Sequence, residues 1–265
     1  MKIAIAGKGG VGKTFISGTL ARILAQKGYN VLVVDADPNI NTASAIGIST
    51  EEADKIIPLS DNEDLIKEKT GVSPGKSYGQ IFRLTPSVND IVENYGIEGP
   101  DGVKLLIMGT VKGGNTGCMC PSNALLRVLV QHMLIQRNEV LIMDMVAGLE
   151  HLGRGTARRM DAMLVVVEPR MKSIDTARRI KKLAVDIDVK EVLAVGNKIS
   201  SSKEQEFLDI QLERLDIPII AYLPYDDKVA EADMLGKAPM DYYSNMDAIK
   251  ELRKMAKVLL DKYGQ

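Results

Sequence analysis

The sequence has few of the residues that build disulfide-linked, membrane-spanning or nucleic-acid-binding proteins. Two cysteines in 265 residues are too few for a disulfide framework. No apolar run approaches the roughly 18–20 residues that span a bilayer, and the chain begins with a strand pattern instead of an apolar leader. The 34 basic and 35 acidic side chains leave a net charge of −1, which argues against binding nucleic acid through bulk charge. We therefore expect a cytoplasmic protein that binds neither membrane nor nucleic acid.

Short apolar runs rich in β-branched residues alternate with amphipathic segments. The runs are nearly continuous, which is typical of strands buried on both faces. The predicted strands are Ile3–Ala6, Val31–Val34, Leu105–Met108, Val140–Met143, Met163–Val167, Val192–Val195 and Ile217–Ala221. The predicted helices are Phe15–Lys27, Ser122–Gln136, Ser173–Asp186, Glu204–Leu215 and Asn245–Tyr263. This order predicts an α/β fold with a doubly wound, mostly parallel sheet flanked by helices.

A single domain of residues 1–265 accommodates all of these elements. The least regular stretch is Glu51–Gly102, which contains Pro58, Pro74, Pro86 and several glycines. Because it is too long for a simple loop, we interpret it as an irregular insertion of short helices and connections after the second strand.

The segment from Gly7 to Thr14 reads GKGGVGKT and follows the first predicted strand directly. It fits the phosphate-binding pattern G-x-x-x-x-G-K-[ST] at every fixed position. Glycines in such a loop turn successive backbone N–H groups toward phosphate oxygens, and the next helix offers its positive end to the same anion. We expect Lys13 to contact the β- and γ-phosphates and the Thr14 hydroxyl to bind Mg²⁺. The predicted nucleotide-binding residues here are Gly7, Gly9, Gly10, Val11, Gly12, Lys13, Thr14 and Phe15.

Aspartates follow two further predicted strands, at Asp35 and Asp144. An apolar strand that ends in Asp is the pattern that places a carboxylate near Mg²⁺. Ligands of an open parallel sheet bind beyond the carboxyl ends of its strands. We therefore expect both carboxylates to face the same crevice as the phosphate loop. A helix cap is the alternative explanation for either residue alone.

Together these segments resemble the deviant-Walker ATPases of the MinD/Mrp type. The resemblance is carried by K-G-G-x-G-K-T from Lys8, D-x-D-P from Asp35 and D-M-x-A-G from Asp144, and it covers essentially the whole chain. It implies hydrolysis of ATP to ADP and ATP-dependent formation of a homodimer. It also implies that Lys8 crosses the dimer interface to the partner's phosphates and that Asp37 orients the attacking water.

The same resemblance implies roles for further residues. Asp35 supports the Mg²⁺ shell, and Asp144 binds Mg²⁺ through water. Asn197 contacts the adenine edge, and the backbone near Pro224 flanks the base, although an Asn at a strand end also caps turns in many α/β proteins. Met145 stands where the family usually has Gly or Pro after the Asp.

Both cysteines of the chain lie in one short segment, G-G-N-T-G-C-M-C-P-S, at Cys118 and Cys120. Gly117 before the pair and Pro121 after it predict a kinked loop in which both sulfurs converge. Ser122 has the character of a helix N-cap, so the positive end of a helix stabilises both thiolates. Two thiolates are half of the four ligands that a tetrahedral or square-planar metal site needs, and a symmetric dimer supplies four. Two buried, inert thiols are the alternative.

Within the family, two segments resemble the nickel-insertion (CooC-type) ATPases that mature carbon monoxide dehydrogenase and its acetyl-CoA synthase partner. They are G-G-x-x-x-C-x-C and D-M-x-A-G-x-E-H-L-x-R-G-T, the latter from Asp144 to Thr156. This resemblance implies a nickel site, or a zinc site, made by Cys118 and Cys120 of two subunits. It also implies that ATP hydrolysis drives metal delivery to an apo-enzyme. Thiolate ligands by themselves do not select nickel over zinc.

Two other functions stay open on the sequence. The first is a MinD/ParA-like dimerisation switch that binds a membrane or protein partner. Switches of this type carry a C-terminal amphipathic helix that binds the membrane. In this chain Asn245–Gln265 has a polar face of mixed charge and lacks an aromatic-rich apolar face, so we expect it to pack on the domain. The second is an electron-transfer ATPase with an iron–sulfur cluster between subunits, like nitrogenase iron protein. The cluster cysteines of that protein are far apart in sequence, whereas this chain has one close pair.

Overall fold

The structure is a computed structural model that describes residues 1–36, 42–73, 90–109, 125, 139–145, 160–187 and 189–264. Within these ranges the chain forms an eight-stranded sheet with helices on both faces. The strands are β1 (Lys2–Gly7), β2 (Asn30–Asp35), β3 (Ile97–Glu98), β4 (Lys104–Ile107), β5 (Glu139–Asp144), β6 (Ala162–Val167), β7 (Val192–Ile199) and β8 (Ile219–Pro224).

The strand order is β3-β4-β2-β5-β1-β6-β7-β8, and every neighbouring pair is parallel except β3 with β4. From β1 the chain builds outward through β2 and β4, returns to β5, and then builds outward on the other side through β6, β7 and β8. This reversal at β1 makes the sheet doubly wound and opens a crevice at the carboxyl ends of the central strands.

Ten helices within the described ranges connect these strands. They are α1 (Lys13–Ala25), α2 (Thr42–Ile46), α3 (Thr50–Ala53), α4 (Glu63–Thr70), α5 (Ile91–Tyr95), α6 (Met171–Asp186), α7 (Ser202–Glu213), α8 (Asp227–Met234), α9 (Pro239–Tyr242) and α10 (Asp247–Tyr263), with a 3-10 turn at Pro100–Gly102. Successive side chains of a strand point to opposite faces. Ile3 and Ile5 of β1 therefore pack in the core that includes α1 and α10, and Ala4 and Ala6 pack in the core that includes α6 and α7.

The predicted fold class is confirmed, and all seven predicted strands are present with shifted ends. The antiparallel edge strand β3 was not predicted, because two residues are too few to give a periodic pattern. The predicted helix at Ser122–Gln136 lies outside the described residues except for Leu125, which is helical and buried. Between β2 and β4 the described residues form α2 to α5, β3 and the 3-10 turn.

The C-terminal helix α10 packs on the domain, as expected. Its apolar face is buried and consists of Ala248, Ile249, Leu252, Met255, Ala256 and Leu259. Near its end, Lys262 Nζ and the Tyr263 hydroxyl each donate a hydrogen bond to the Glu191 carboxylate. Lys262 and Tyr263 thereby lower the pKa of Glu191. None of the helices in the described ranges is long and apolar enough to cross a membrane.

Candidate nucleotide-binding site

The phosphate loop connects β1 to α1 at the carboxyl edge of the sheet. Gly10 and Gly12 have φ angles of 78° and 94°, in the left-handed region that favours glycine. Gly12 is the N-cap of α1, and its carbonyl oxygen accepts a hydrogen bond from the Ile16 N–H at 3.1 Å. The first turn of α1 carries no acidic residue, so the positive end of the helix is offered to an anion in the loop.

The two lysines of the loop have different environments. Lys13 is 7% exposed, and its Nζ donates to the Lys8 carbonyl oxygen at 3.4 Å, so its side chain folds back over the loop. The Lys8 side chain is exposed to solvent. An exposed position suits a residue that reaches a second subunit, and the predicted role of Lys8 in the partner's site stays a prediction.

Asp35 and Asp144 converge, as the parallel sheet requires. They are register partners on β2 and β5, and both are buried. Thr42, at the start of α2, contacts both carboxylates. Its N–H donates to Asp35 Oδ2 and its hydroxyl donates to Asp144 Oδ2, each at 3.3 Å.

These oxygen donors fit Mg²⁺, which prefers carboxylate and hydroxyl ligands. The residues that would hold the ion are Thr14, in the first turn of α1, and the two carboxylates of Asp35 and Asp144. When bound there, Mg²⁺ neutralises negative charge on the phosphates. Thr42 is a member of this cluster that the sequence analysis missed. A Thr that opens a short helix soon after D-x-D-P is the signal that was available.

The end of β7 contacts the phosphate loop, and its residues Asn197 and Lys198 line the same cleft as the loop. Asn197 is 4% exposed, and its Nδ2 donates to the Val11 carbonyl oxygen at 2.7 Å. The next residue, Lys198, donates from Nζ to the Gly10 carbonyl oxygen at 2.7 Å and pairs with Glu168 Oε1 at 2.6 Å. The structure thus places Asn197 on the phosphate loop, and its predicted contact with adenine stays a prediction. Lys198 and Glu168 were not predicted as site residues from the sequence.

A cleft of about 580 Å³ extends from the phosphate loop to α8, a size that suits a small-molecule ligand such as a nucleotide. Eight predicted residues line it, namely Gly9, Gly10, Gly12, Lys13, Thr14, Phe15, Asn197 and Pro224. One face of α8 and its N-cap adds Asp226, Val229, Ala230 and Asp233, at the i, i+3, i+4, i+7 spacing of a helix. This helical spacing after Pro224 is visible in the sequence, although these four residues were not predicted to line the site.

Asp37, Cys118 and Cys120 lie outside the described residues, so their predicted roles stay predictions. The described chain leads toward the cysteine segment from β4, which pairs with β2. Met108, directly after β4, donates its N–H to the Asp35 carbonyl oxygen at 2.9 Å. The cysteine-bearing segment therefore begins, after Gly109, at the same sheet edge as the phosphate loop.

Comparisons with known proteins agree with this site. The family model described as the CobQ/CobB/MinD/ParA nucleotide binding domain matches residues 2–240. The chain is 44% identical over 255 residues to an uncharacterized ATP-binding protein of Methanocaldococcus jannaschii, with 96% of each chain covered. It is 41% identical over 241 residues to the carbon monoxide dehydrogenase accessory protein CooC of Rhodospirillum rubrum, with 91% of this chain and 90% of that protein covered.

Solved structures share the fold at low sequence identity. The MinD cell division protein of Aquifex aeolicus superposes with a TM-score of 0.68 at 20% identity, covering 98% of this chain and 96% of that one. A ParA family ATPase from Chlorobium tepidum gives a TM-score of 0.67 at 16% identity, with 97% of each chain covered. These likenesses concern the architecture of the sheet and its helices.

Proposed function

We propose that this chain, which belongs to the CobQ/CobB/MinD/ParA nucleotide-binding family and is a P-loop ATPase, delivers nickel to a client enzyme. The client is an apo-enzyme of the carbon monoxide dehydrogenase or acetyl-CoA synthase type. The cargo metal binds to Cys118 and Cys120 of each of two subunits, and ATP binding and hydrolysis drive dimerisation and release. The observation that carries this proposal is the close cysteine pair in a chain that is 41% identical to CooC along 91% of its length.

The point at which the described chain ends before the cysteine segment supports a link between metal binding and nucleotide binding. The segment begins beside Asp35, through the Met108 N–H bond to the Asp35 carbonyl oxygen. The exposed Lys8 lies in the phosphate loop at that same edge. A second subunit docking across this edge meets Lys8 and the cysteine segment together, so nucleotide state and metal binding act on one interface.

The ligand chemistry sets the expected stoichiometry. Four thiolates from two chains close one tetrahedral or square-planar site, whereas two thiolates from one chain leave it open. The proposal therefore requires one metal ion per dimer. Because zinc competes for the same thiolates, the metal in the cell is set by availability and by the client as well as by the site.

The structure bears on the competing hypothesis of a MinD/ParA-like switch on a membrane. The apolar face of α10 is buried against the domain. Exposing that face to lipid requires undocking the helix and losing its contacts with β8 and α1. The packing of α10 thus argues against its use as a lipid anchor.

The decisive experiment is a titration of reduced, anaerobic protein with Ni²⁺, with and without Mg-ATP, while mass in solution is measured by light scattering. We expect one nickel per two chains and a shift from monomer to dimer. The double variant Cys118→Ala/Cys120→Ala should bind no stoichiometric nickel. The variant Met119→Ala is the matched control, because it changes the same segment and keeps both thiols.

Two results would contradict the proposal. One is stoichiometric nickel binding by the double cysteine variant, and the other is nickel binding by the unaltered chain without dimer formation. Sedimentation of the ATP-bound protein with anionic vesicles would instead support the membrane switch. A parallel titration with Zn²⁺ measures the competition between the two metals.

A further inference from the structure

Two consecutive residues at the end of β7 bind two consecutive carbonyl groups of the phosphate loop. Asn197 Nδ2 donates to the Val11 oxygen and Lys198 Nζ donates to the Gly10 oxygen, both at 2.7 Å. Asn197 was already predicted to belong to the nucleotide site, as a contact of the adenine edge. The Lys198 contact has no role in the function described so far.

A second contact holds the Lys198 side chain in place. Glu168, directly after β6, accepts its second hydrogen bond at 2.6 Å, and the Glu168 side chain is only 13% exposed. The Glu168 N–H in turn donates to the buried Ser173 hydroxyl at 3.1 Å, near the start of α6. Lys198 has a φ of 59°, which is uncommon for a residue other than glycine. The fold thus accepts a strained backbone at the residue whose side chain contacts the loop.

We propose that Lys198 is a positioning residue for ATP binding, which orients the phosphate loop through the Gly10 carbonyl and is itself anchored by Glu168. In a planar trans peptide the C=O and the next N–H point in opposite directions, and the described chain has no cis peptide bond. Drawing the Gly10 carbonyl toward Lys198 therefore turns the Val11 N–H the other way. The Asn197 contact with Val11 likewise turns the Gly12 N–H away from Asn197. In this structure the Val11 N–H donates to the Lys8 carbonyl oxygen at 3.4 Å, across the loop.

The ion pair with Glu168 separates this role from simple attraction of the phosphates. The carboxylate 2.6 Å from Lys198 Nζ balances the ammonium charge, so the pair adds little net positive charge to the site. If Lys198 positions the loop, it needs Glu168 to hold its side chain. If Lys198 instead attracts phosphate as a free cation, the Glu168 carboxylate weakens that attraction. The substitution Glu168→Gln should therefore lower ATP affinity if Lys198 positions the loop, and raise it if Lys198 attracts phosphate directly.

The magnitude follows from the loss of a charge-assisted hydrogen bond. We expect Lys198→Met to weaken binding of ATP and ADP by about 10- to 100-fold and binding of adenosine by less than about threefold. Because the loop amides contact phosphate before and during hydrolysis, KM for ATP should rise while kcat at saturating ATP stays within about threefold. Lys198→Arg keeps a charged donor and should restore most of the affinity.

The experiment uses the full chain and four variants, Lys198→Met, Lys198→Arg, Glu168→Gln and the control Lys190→Met. Lys190 pairs with Asp161 at 3.2 Å near the opposite end of β7, so its loss removes a similar ion pair away from the loop. Calorimetry gives the affinities for ATP, ADP and adenosine. Hydrogen exchange of the peptide containing residues 7–14 is measured without nucleotide, where faster exchange in Lys198→Met reports a loosened loop.

Unchanged ATP affinity in Lys198→Met, equal loss for adenosine and ATP, or tighter ATP binding by Glu168→Gln would each overturn the proposal. If Lys198→Met fails to fold, as judged by its melting temperature, Lys198→Arg and Glu168→Gln still decide the matter. This inference goes beyond the proposed metal delivery and depends only on ATP binding. Failure of nickel binding leaves it intact.

Discussion

Replacement of Gly12 by alanine tests how tightly the phosphate loop is held against β7. Gly12 has a φ of 94°, and a Cβ atom at this position would collide with the Asn197 side-chain amide. Alanine therefore has two separate effects. It must adopt a left-handed backbone conformation that is unfavourable for a residue with a Cβ, and it displaces Asn197 from the Val11 carbonyl oxygen. The matched control is Gly28→Ala, because Gly28 has a φ of 88° and a Cβ there meets nothing within 4 Å.

The difference between the two variants isolates the contact with Asn197. A left-handed alanine costs about 1–2 kcal/mol, and the reduced freedom of the unfolded chain offsets about 0.4–1 kcal/mol of it, at both positions. Displacing Asn197 leaves a buried amide and carbonyl unsatisfied, which costs about 2 kcal/mol more in Gly12→Ala alone. For a chain of this size that corresponds to a melting temperature about 4–8 °C below that of Gly28→Ala.

The assay is thermal unfolding of nucleotide-free protein, monitored by circular dichroism, with ATP affinity measured alongside. Gly12→Ala should also bind ATP more weakly, whereas Gly28→Ala should bind it normally. In the double variant Gly12→Ala/Asn197→Ala the clash is gone, so its added loss over Asn197→Ala should match that of Gly28→Ala. Equal melting temperatures for the two single glycine variants would refute the contact between the loop and β7.

Two further predictions concern the dimer and the C-terminal helix. Lys8→Ala should keep ATP affinity within about threefold, because the exposed side chain is not needed to hold nucleotide in its own subunit, but should abolish ATP-dependent dimerisation in sedimentation velocity. A dimer that persists in Lys8→Ala would contradict the predicted contact across the interface. Because Lys262 lowers the pKa of Glu191, this pair stabilises the fold above the unfolded pKa of about 4.3, and the contribution is lost as pH falls through the lower folded pKa. The melting-temperature advantage of the unaltered chain over Lys262→Met should therefore shrink between pH 6 and pH 3. It should shrink less for Lys254→Met, whose pair with Glu251 joins two residues of the same helix and anchors no other element; equal pH profiles would argue against this anchor.

The sequence predicted the central sheet because its strands are buried on both faces. In β1 the alternation of Ile3, Ala4, Ile5 and Ala6 fills two cores at once, so the run is apolar without interruption. The convergence of aspartates at the ends of β2 and β5 followed from parallel strands meeting at one sheet edge. Both predictions rest on rules that act within a strand or between neighbouring strands.

The missed residues take part in the site through tertiary contacts that have no periodic signature. Thr42 bonds two carboxylates from different strands, and Lys198 bonds a loop more than a hundred residues earlier in the chain. Neither side chain differs in sequence from an ordinary solvent-facing Thr or Lys. The edge strand β3 was missed because its two residues give too short a pattern, although its antiparallel pairing with β4 is clear in the structure.

The order of strands separates the residues of the two proposals. The entry to the cysteine segment and Lys198 lie on opposite sides of the strand that leads into the phosphate loop. On one side of β1 lie β5, β2 and β4, with Asp144, Asp35 and the entry to the cysteine segment. On the other side lie β6 and β7, with Glu168 and Lys198. Metal binding is therefore expected to act on the nucleotide through the magnesium side, whereas Lys198 acts through the loop backbone. It follows that Lys198→Met, once saturated with ATP, should still bind one nickel per dimer, and a loss of that stoichiometry would show that the two flanks are not independent.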